Sequence, residues 1–122
     1  MNIAFAGFRH SHIFGLYSSV LENKDSNLVG CFEENEDAKK AAESSHNVEF
    51  NYNSYEEILN DPEIEAVSVC TPNKMHSTIT IDFLKAGKNV LCEKPAARTL
   101  SEALEMQKAQ HDTGKILNIG VV

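Results

Sequence analysis

The stretch AVSVCTPNKMH, at residues 66–76, decides the fold of this chain. It begins with an unbroken run of mostly apolar, β-prone residues, which is typical of a strand buried on both faces of a sheet. Thr71, Pro72 and Asn73 then form a turn, and apolar residues follow at helical spacing until Gly87 stops the helix. A buried strand that turns directly into a helix is one unit of a parallel sheet with helices packed on it.

The same order of elements continues on both sides of that stretch. Short β-prone runs predict strands at residues 3–6, 28–32, 48–50, 66–70, 89–92 and 116–119. Helical spacing separates these runs, and Asn35, Ser54 and Thr99 stand where side chains cap the N-termini of helices. The sequence therefore predicts an α/β fold, a three-layer Rossmann-type domain whose mainly parallel sheet has six strands and helices on both faces.

Composition excludes several classes of function. The net charge is −7 and basic residues do not cluster, which argues against a nucleic-acid partner. No apolar run approaches the roughly 18 residues of a membrane span, and the N-terminus lacks the pattern of a signal peptide. Cys31, Cys70 and Cys92 are odd in number and have no CxxC spacing, which favours reduced, buried thiols. We therefore expect a cytoplasmic protein without a membrane partner.

The length of the chain predicts one domain, at residues 1–122. Its last predicted strand runs into Val121 and Val122, where the sequence stops. Natural domains rarely end on a bare apolar strand. We therefore expect residues 1–122 to be the dinucleotide-binding domain of a longer protein whose C-terminal substrate domain is absent from this chain.

The loop after the first predicted strand, GFRHSH at residues 7–12, occupies the place of a G-x-G-x-x-G motif. Only the first glycine is present, since Arg9 and His12 replace the other two. The helix that follows still offers N–H groups and the positive end of its dipole to a pyrophosphate, and Arg9 can add charge to that site. The candidate cofactor contacts in this loop are Gly7, Phe8, Arg9, His10 and His12.

Glu33 ends the second predicted strand, about 20 residues after the loop, where an acidic residue accepts hydrogen bonds from the adenosine ribose. A carboxylate in this position also repels the 2′-phosphate of NADP, so NAD is the predicted cofactor and NADP the less favoured one. The alternative interpretation is a solvated loop glutamate beside Glu34, and the residues alone leave both open.

Two stretches resemble segments of one known family. Residues 66–76 contain C-T-P-N-x-x-H, and residues 86–95, AGKNVLCEKP, contain A-G-K-x-V-x-x-E-K-P. Both resemble the N-terminal domain of the glucose–fructose oxidoreductase and inositol dehydrogenase family (Gfo/Idh/MocA). The resemblance covers the whole chain and is weakest at the glycine loop. It implies NAD or NADP binding and hydride transfer to or from a hydroxyl carbon, commonly of a sugar or cyclitol.

The resemblance also implies roles for individual residues. Lys94 matches a lysine that contacts substrate and cofactor near the nicotinamide, and it is the candidate catalytic residue, because a lysine there can steady charge on the reacting oxygen. Pro95 is expected to follow a cis peptide bond. The residues implied to line the cofactor are Cys70, Thr71, Pro72, Asn73, His76, Glu93, Lys94 and Pro95. A second domain is implied to complete the site for a small-molecule substrate, a sugar or polyol, and to form homo-oligomers.

Two other interpretations compete with this one. His10 and His12 could share a metal ion, as in barrel hydrolases, but such barrels need about 250 residues. No metal site is therefore predicted. The altered glycine loop would also suit a family member that has lost its chemistry and senses or binds a small molecule. The intact Glu93, Lys94 and Pro95 oppose that interpretation.

Overall fold

The computed structural model describes residues 1–120, which contain five β-strands and five α-helices. The strands are β1 (Asn2–Ala6), β2 (Asn27–Phe32), β3 (Ala66–Val69), β4 (Asn89–Cys92) and β5 (Leu117–Ile119). The helices are α1 (Ile13–Glu22), α2 (Glu36–His46), α3 (Tyr55–Leu59), α4 (His76–Lys85) and α5 (Leu100–Thr113). Within the described residues, no helix is long and apolar enough to cross a membrane. Val121 and Val122, the expected continuation of the last strand, lie outside the described residues.

The sheet is parallel throughout, with the strand order β2-β1-β3-β4-β5. The predicted α/β class and the parallel sheet are therefore confirmed. From β1 the chain first crosses to β2 on one side and later returns to β3 on the other. Strand order thus reverses between β1 and β3, which is where open α/β sheets bind their ligands.

Both faces of the sheet are covered by helices, because the residues of β1 alternate between two cores. Ala4 and Ala6 are fully buried among residues of α3, α4 and α5. Phe5 points to the opposite face and packs with residues of α1 and α2, including Tyr17, whose ring meets it edge-on. Alternation of side chains along a strand is what lets one short segment hold two helical layers.

The predicted strand at residues 48–50 is wrong, since the described part of the sheet has five strands and not six. The side chain of Asn51 takes its place beside β2, where its Oδ1 accepts from Cys31 N at 2.9 Å and its Nδ2 donates to Val29 O at 3.0 Å. Tyr52 N adds a bond to Cys31 O at 3.2 Å. One carboxamide thus makes two bonds to the strand edge that a neighbouring strand would make with its backbone.

Gly30 allows this close approach. A Cβ at that position would lie 2.2 Å from the ring of Tyr52 and 2.6 Å from Oδ1 of Asn51. Any larger residue would therefore push the segment away from β2 and expose the strand edge.

The predicted helix caps are confirmed. Asn35 Oδ1 accepts from Ala38 N, and Thr99 Oγ1 accepts from Glu102 N at 3.1 Å. Ser54 caps α3 in the same way. Each such bond satisfies an amide at a helix start that has no partner within the helix.

Lys88, the lysine of the A-G-K segment, is a structural residue. Its side chain is buried, and its Nζ donates to Asp61 O at 2.7 Å and to Ile64 O at 3.1 Å. It directly precedes β4 and so lies at the amino end of the sheet, opposite the edge where ligands bind. Burial lowers the pKa of Lys88. This part of the family-like segment therefore secures the fold rather than the site.

The predicted state of the cysteines is also confirmed, since all three are free and buried. Burial raises the pKa of Cys31 to about 12 and that of Cys92 to about 11. These thiols are therefore protonated at neutral pH and are poor nucleophiles.

Candidate functional site

The structure brings the predicted site residues to one edge of the sheet. Three segments meet there: the first loop (residues 7–12) after β1, the CTPN loop (residues 70–75) after β3, and the EKP loop (residues 93–95) after β4. Glu33 follows β2 at the same edge. Because parallel strands end on the same side, their following loops form a common crevice at the point where strand order reverses.

Gly7 has a backbone that only glycine adopts readily, with φ of +101°. A Cβ there would lie 2.4 Å from the carbonyl oxygen of Cys70. The amide of Gly7 donates to Phe32 O at 2.8 Å, and the amide of Arg9 donates to Cys70 O at 3.1 Å. The first loop is therefore held between the ends of β2 and β3, and the one retained glycine makes that crossing possible.

Glu33 is buried, with 3% of its surface exposed, and its carboxylate is used by the protein itself. Its Oε1 accepts from Phe8 N at 2.7 Å. Its Oε2 accepts from Asn35 N at 2.7 Å and from Arg9 Nε at 2.9 Å. This carboxylate thereby joins the first loop to the turn that begins α2.

Arg9 lies over Glu33 and continues toward Glu34, with its Nη2 3.4 Å from Glu34 Oε1. The side chain that replaces the second glycine is thus held at the end of β2 by two carboxylates. Sequence reasoning expected Glu33 to face a ribose and Arg9 to face a pyrophosphate. In the structure the two side chains face each other, and Arg9 and Glu34 form the exposed surface.

His10 and His12 are both exposed at the tip of the first loop. The first amides of α1 are weakly bonded within this turn, since Ile13 N donates to His10 O and Phe14 N to Ser11 O, each at 3.2 Å. Among residues 1–120, no group of three or more side chains of the metal-binding kinds comes together.

The CTPN loop is buried at its start and exposed at its tip. Cys70 and Thr71 are fully buried, Pro72 is half-buried and Asn73 is exposed. Cys70 N continues the sheet pattern by donating to Ala6 O at 2.9 Å. Burial raises the pKa of the Cys70 thiol to about 11. Only the tip of this loop, from Pro72 onward, therefore offers side chains to a ligand.

His76 lies beneath the edge rather than on its surface, with no exposed area. Its Nε2 is 2.7 Å from Thr71 O, in the CTPN loop, and its Nδ1 is 2.7 Å from Pro95 O, in the EKP loop. The ring therefore connects the two loops on which the family-like segments lie.

The EKP loop presents Lys94 to solvent while Glu93 beside it is buried. Glu93 N donates to Val69 O at 2.9 Å, which anchors the loop to β3. The Lys94–Pro95 peptide bond is cis, as the resemblance implied. Lys94 is thus an exposed cation on a loop whose two flanks are fixed by hydrogen bonds.

Sequence reasoning missed Tyr55, the first residue of α3. Its ring packs edge-on against Phe32, and its buried hydroxyl has no hydrogen-bond partner among the described residues. Burial, followed by the charges of Glu34 and Glu33, raises the pKa of Tyr55. The Ser54 cap could have drawn attention to it, because that cap fixes the start of α3, where Tyr55 packs against Phe32 at the end of β2.

A parallel sheet that reverses its strand order beside a glycine turn and two motif-bearing loops is typical of a dinucleotide-binding Rossmann domain. The family model described as "Oxidoreductase family, NAD-binding Rossmann fold" matches residues 1–121. The chain therefore belongs to the Gfo/Idh/MocA family of oxidoreductases, as the resemblance of its sequence indicated.

Three relatives illustrate the similarity. A stretch of 64 residues, 52% of the chain, is 47% identical to the 1,5-anhydro-D-fructose reductase of Ensifer adhaerens. The structure resembles biliverdin reductase from Synechocystis sp. PCC 6803, solved with biliverdin and NADP+, with a TM-score of 0.85 and 25% identity over 97% of the chain. It also resembles myo-inositol 2-dehydrogenase from Lactobacillus plantarum, with a TM-score of 0.81 and 25% identity over 98% of the chain.

The chain spans only part of each relative's length: 19% of the anhydrofructose reductase, 37% of the biliverdin reductase chain and 36% of the inositol dehydrogenase chain. These similarities therefore concern one domain of longer proteins.

Proposed function

We propose that this chain binds a nicotinamide dinucleotide at the carboxyl edge of its sheet and forms one wall of an oxidoreductase active site. The observation that carries the proposal is the convergence of the CTPN and EKP loops beside the Gly7 crossing, at the point where strand order reverses. The first loop lies close to Cys70, which leaves the start of α1 next to the crevice. The amides at the start of a helix can bind the pyrophosphate of a dinucleotide. The bound nicotinamide would supply the hydride acceptor or donor.

The proposed substrate is a small molecule with a CH–OH group, a sugar or polyol. A 1,5-anhydro-D-fructose reductase and a myo-inositol 2-dehydrogenase among the relatives support this class. Lys94 is the proposed catalytic residue, because an exposed ammonium group on an anchored loop can donate a hydrogen bond to the reacting oxygen. Residues beyond this chain would supply the opposite wall, the proton-transfer partner and the surface for homo-oligomers, so residues 1–122 alone would not turn over substrate.

NAD is the proposed cofactor, in preference to NADP. Glu33 and Glu34 contact Arg9 at the end of β2, and Glu36 and Asp37 add two acidic side chains in the first turn of α2. A 2′-phosphate would add about two negative charges to this acidic region. Because one structural relative was solved with NADP+, the experiment compares the two dinucleotides directly.

Calorimetric titration of the full-length protein with NAD and with NADP tests both the site and the preference. We expect NAD to bind more tightly than NADP. Glu34→Gln should reduce the difference between the two affinities, because it removes an exposed negative charge and leaves the bonds of Glu33 intact. Glu22→Gln, on the exposed far end of α1, is the matched control and should change nothing. Tighter binding of NADP by the unmodified protein would overturn the preference.

A second candidate function is a sensing protein that binds its sugar or polyol without chemistry. The burial of Glu33 under Arg9 favours it, because the carboxylate expected to hold the ribose is already bonded. In that case titration with either dinucleotide would give no heat of binding, whereas a sugar or polyol would bind alone.

A further inference from the structure

His76 contacts both family-like loops, and it is fully buried. It is the first residue of α4, directly after the 3-10 turn Asn73–Met75. Its ring reaches back to Thr71 O and across to Pro95 O, both at 2.7 Å. The ring therefore links the carbonyl next to the buried start of one loop with the carbonyl next to Lys94 in the other.

Both partners of the ring are carbonyl oxygens, which only accept hydrogen bonds. A neutral imidazole has one N–H donor and one bare nitrogen, so it can satisfy only one of the two contacts. At 2.7 Å the bare nitrogen would set its lone pair against the lone pairs of a carbonyl. Rotating the ring by half a turn does not help, because it would replace both nitrogens by carbons.

We propose that His76 is a doubly protonated imidazolium that fastens the CTPN loop to the EKP loop and so positions Lys94 for the proposed reaction. This inference rests on the proposed function only for the role of Lys94. His76 itself touches neither substrate nor cofactor, since it has no exposed surface, and it is a positioning residue.

The two loops that the ring contacts carry the titratable side chains that bear on its charge. The EKP loop carries Glu93, a carboxylate with 7% of its surface exposed. The Cys70 thiol on the other loop is protonated at neutral pH, because burial raises its pKa to about 11. The cations of these loops, Lys74 and Lys94, are exposed to solvent. Two hydrogen bonds from a charged donor, stronger than neutral ones, offset part of the cost of burying the ring.

The first test is nuclear magnetic resonance of the full-length protein labelled with 15N at its histidines, at neutral pH. We expect both ring nitrogens of His76 to carry a proton, and the His76→Asn variant to identify the signals by their loss. A ring with one bare nitrogen would overturn the proposal. This readout needs no cofactor and no substrate, so it stands even if the proposed function fails.

The second test is a double-mutant cycle on turnover. His76→Asn should lower kcat at least tenfold and leave the dissociation constant of the dinucleotide within about threefold, because only the position of Lys94 changes. The same substitution made in a Lys94→Ala background should cause no further loss of kcat. Losses that simply multiply would show that His76 does not act through Lys94. His111→Asn, an exposed histidine on α5, is the control and should leave both quantities unchanged.

Discussion

At each end of the crevice, one buried side chain fixes a loop by hydrogen bonds to its backbone. At the first loop, the buried carboxylate of Glu33 accepts two backbone amides and one guanidinium N–H. At the other end, the buried ring of His76 meets two backbone carbonyls. Glu33 holds a loop that lacks two of the three glycines of the motif. His76 links two loops that match the family segments. A buried polar side chain can thus fix a loop by hydrogen bonds whether or not the surrounding motif is retained.

The comparison also shows what replaces a lost glycine. Arg9 stands at the position where a glycine lets the backbone approach a pyrophosphate. Its ion pair with Glu33 draws the side chain to the end of β2. The first loop is therefore held by an ion pair of side chains in addition to bonds with backbone amides, whereas the EKP loop is held by bonds to backbone atoms. Substitutions at the two ends should differ accordingly in what they change.

The largest expected effect is at the Lys94 end. In the full-length protein, if it has the proposed activity, Lys94→Ala should lower kcat by about 10²–10³-fold, the usual loss when one donor to a developing oxyanion is removed. Affinity for NAD should stay nearly unchanged, because the first loop and Glu33 are untouched. Steady-state kinetics and calorimetry measure the two quantities. Lys85→Ala, an exposed lysine at the C-terminal end of α4, is the matched control. Normal turnover in Lys94→Ala would remove this residue from the reaction.

The next effect concerns Gly7, where the first loop crosses close to Cys70 of the CTPN loop. Gly7→Ala should lower the free energy of unfolding by about 2–4 kcal/mol, because the residue has φ of +101° and its new Cβ would meet Cys70 O. Gly15→Ala is the opposite case, since Gly15 is an exposed residue within α1 and its Cβ would meet nothing within 4 Å. That change should raise stability by about 0.5–1 kcal/mol. Denaturant titration compares the two variants, and equal stabilities would contradict the packing argument at Gly7.

Much of the fold could be predicted from the sequence, because strands buried on both faces and their caps leave local patterns. The strand at residues 89–92 and the caps at Asn35 and Thr99 are examples. The failed strand at 48–50 shows the limit. Its neighbour Asn51 competes for the edge of β2 with a side chain, and this depends on Gly30, some 20 residues away, having no Cβ.

The positions of the candidate residues in the fold could be predicted from the sequence, but most of their contacts could not. The positions of Glu33 and Lys94 follow from where strands end, which patterns reveal. The burial of Glu33 depends on the direction taken by Arg9, and that of His76 on a carbonyl in another loop. Such contacts join residues distant in sequence, and neither spacing nor composition records them.

A third prediction separates the two members of the Arg9–Glu33 pair. Glu33→Gln should lower the free energy of unfolding by about 1–3 kcal/mol. Both oxygens of Glu33 accept from backbone N–H groups, and the NH2 group that replaces one oxygen cannot accept such a bond. Glu34→Gln should change stability by less than about 0.5 kcal/mol, since its carboxylate is exposed and makes only a long contact. Thermal or denaturant unfolding compares them. If both variants lose the same stability, Glu33 does not fix the loop.

The smallest expected effect is that of Arg9 itself. Its guanidinium is partly exposed, and its hydrogen bonds go to Glu33 and Glu34 at the end of β2. Arg9→Gln should therefore weaken NAD binding by less than about tenfold. NADP binding should weaken more than NAD binding, because the variant removes the cation that contacts the carboxylates of Glu33 and Glu34.

Titration of Arg9→Gln with both dinucleotides distinguishes this view from the role first suggested by the sequence. A guanidinium that held the pyrophosphate would contribute equally to NAD and NADP, which share that group. Its loss would then weaken both by tenfold or more and leave their ratio unchanged. An unchanged ratio with a large common loss would show that Arg9 leaves Glu33 when the cofactor binds, and the two ends of the crevice would then differ less than their bonding indicates.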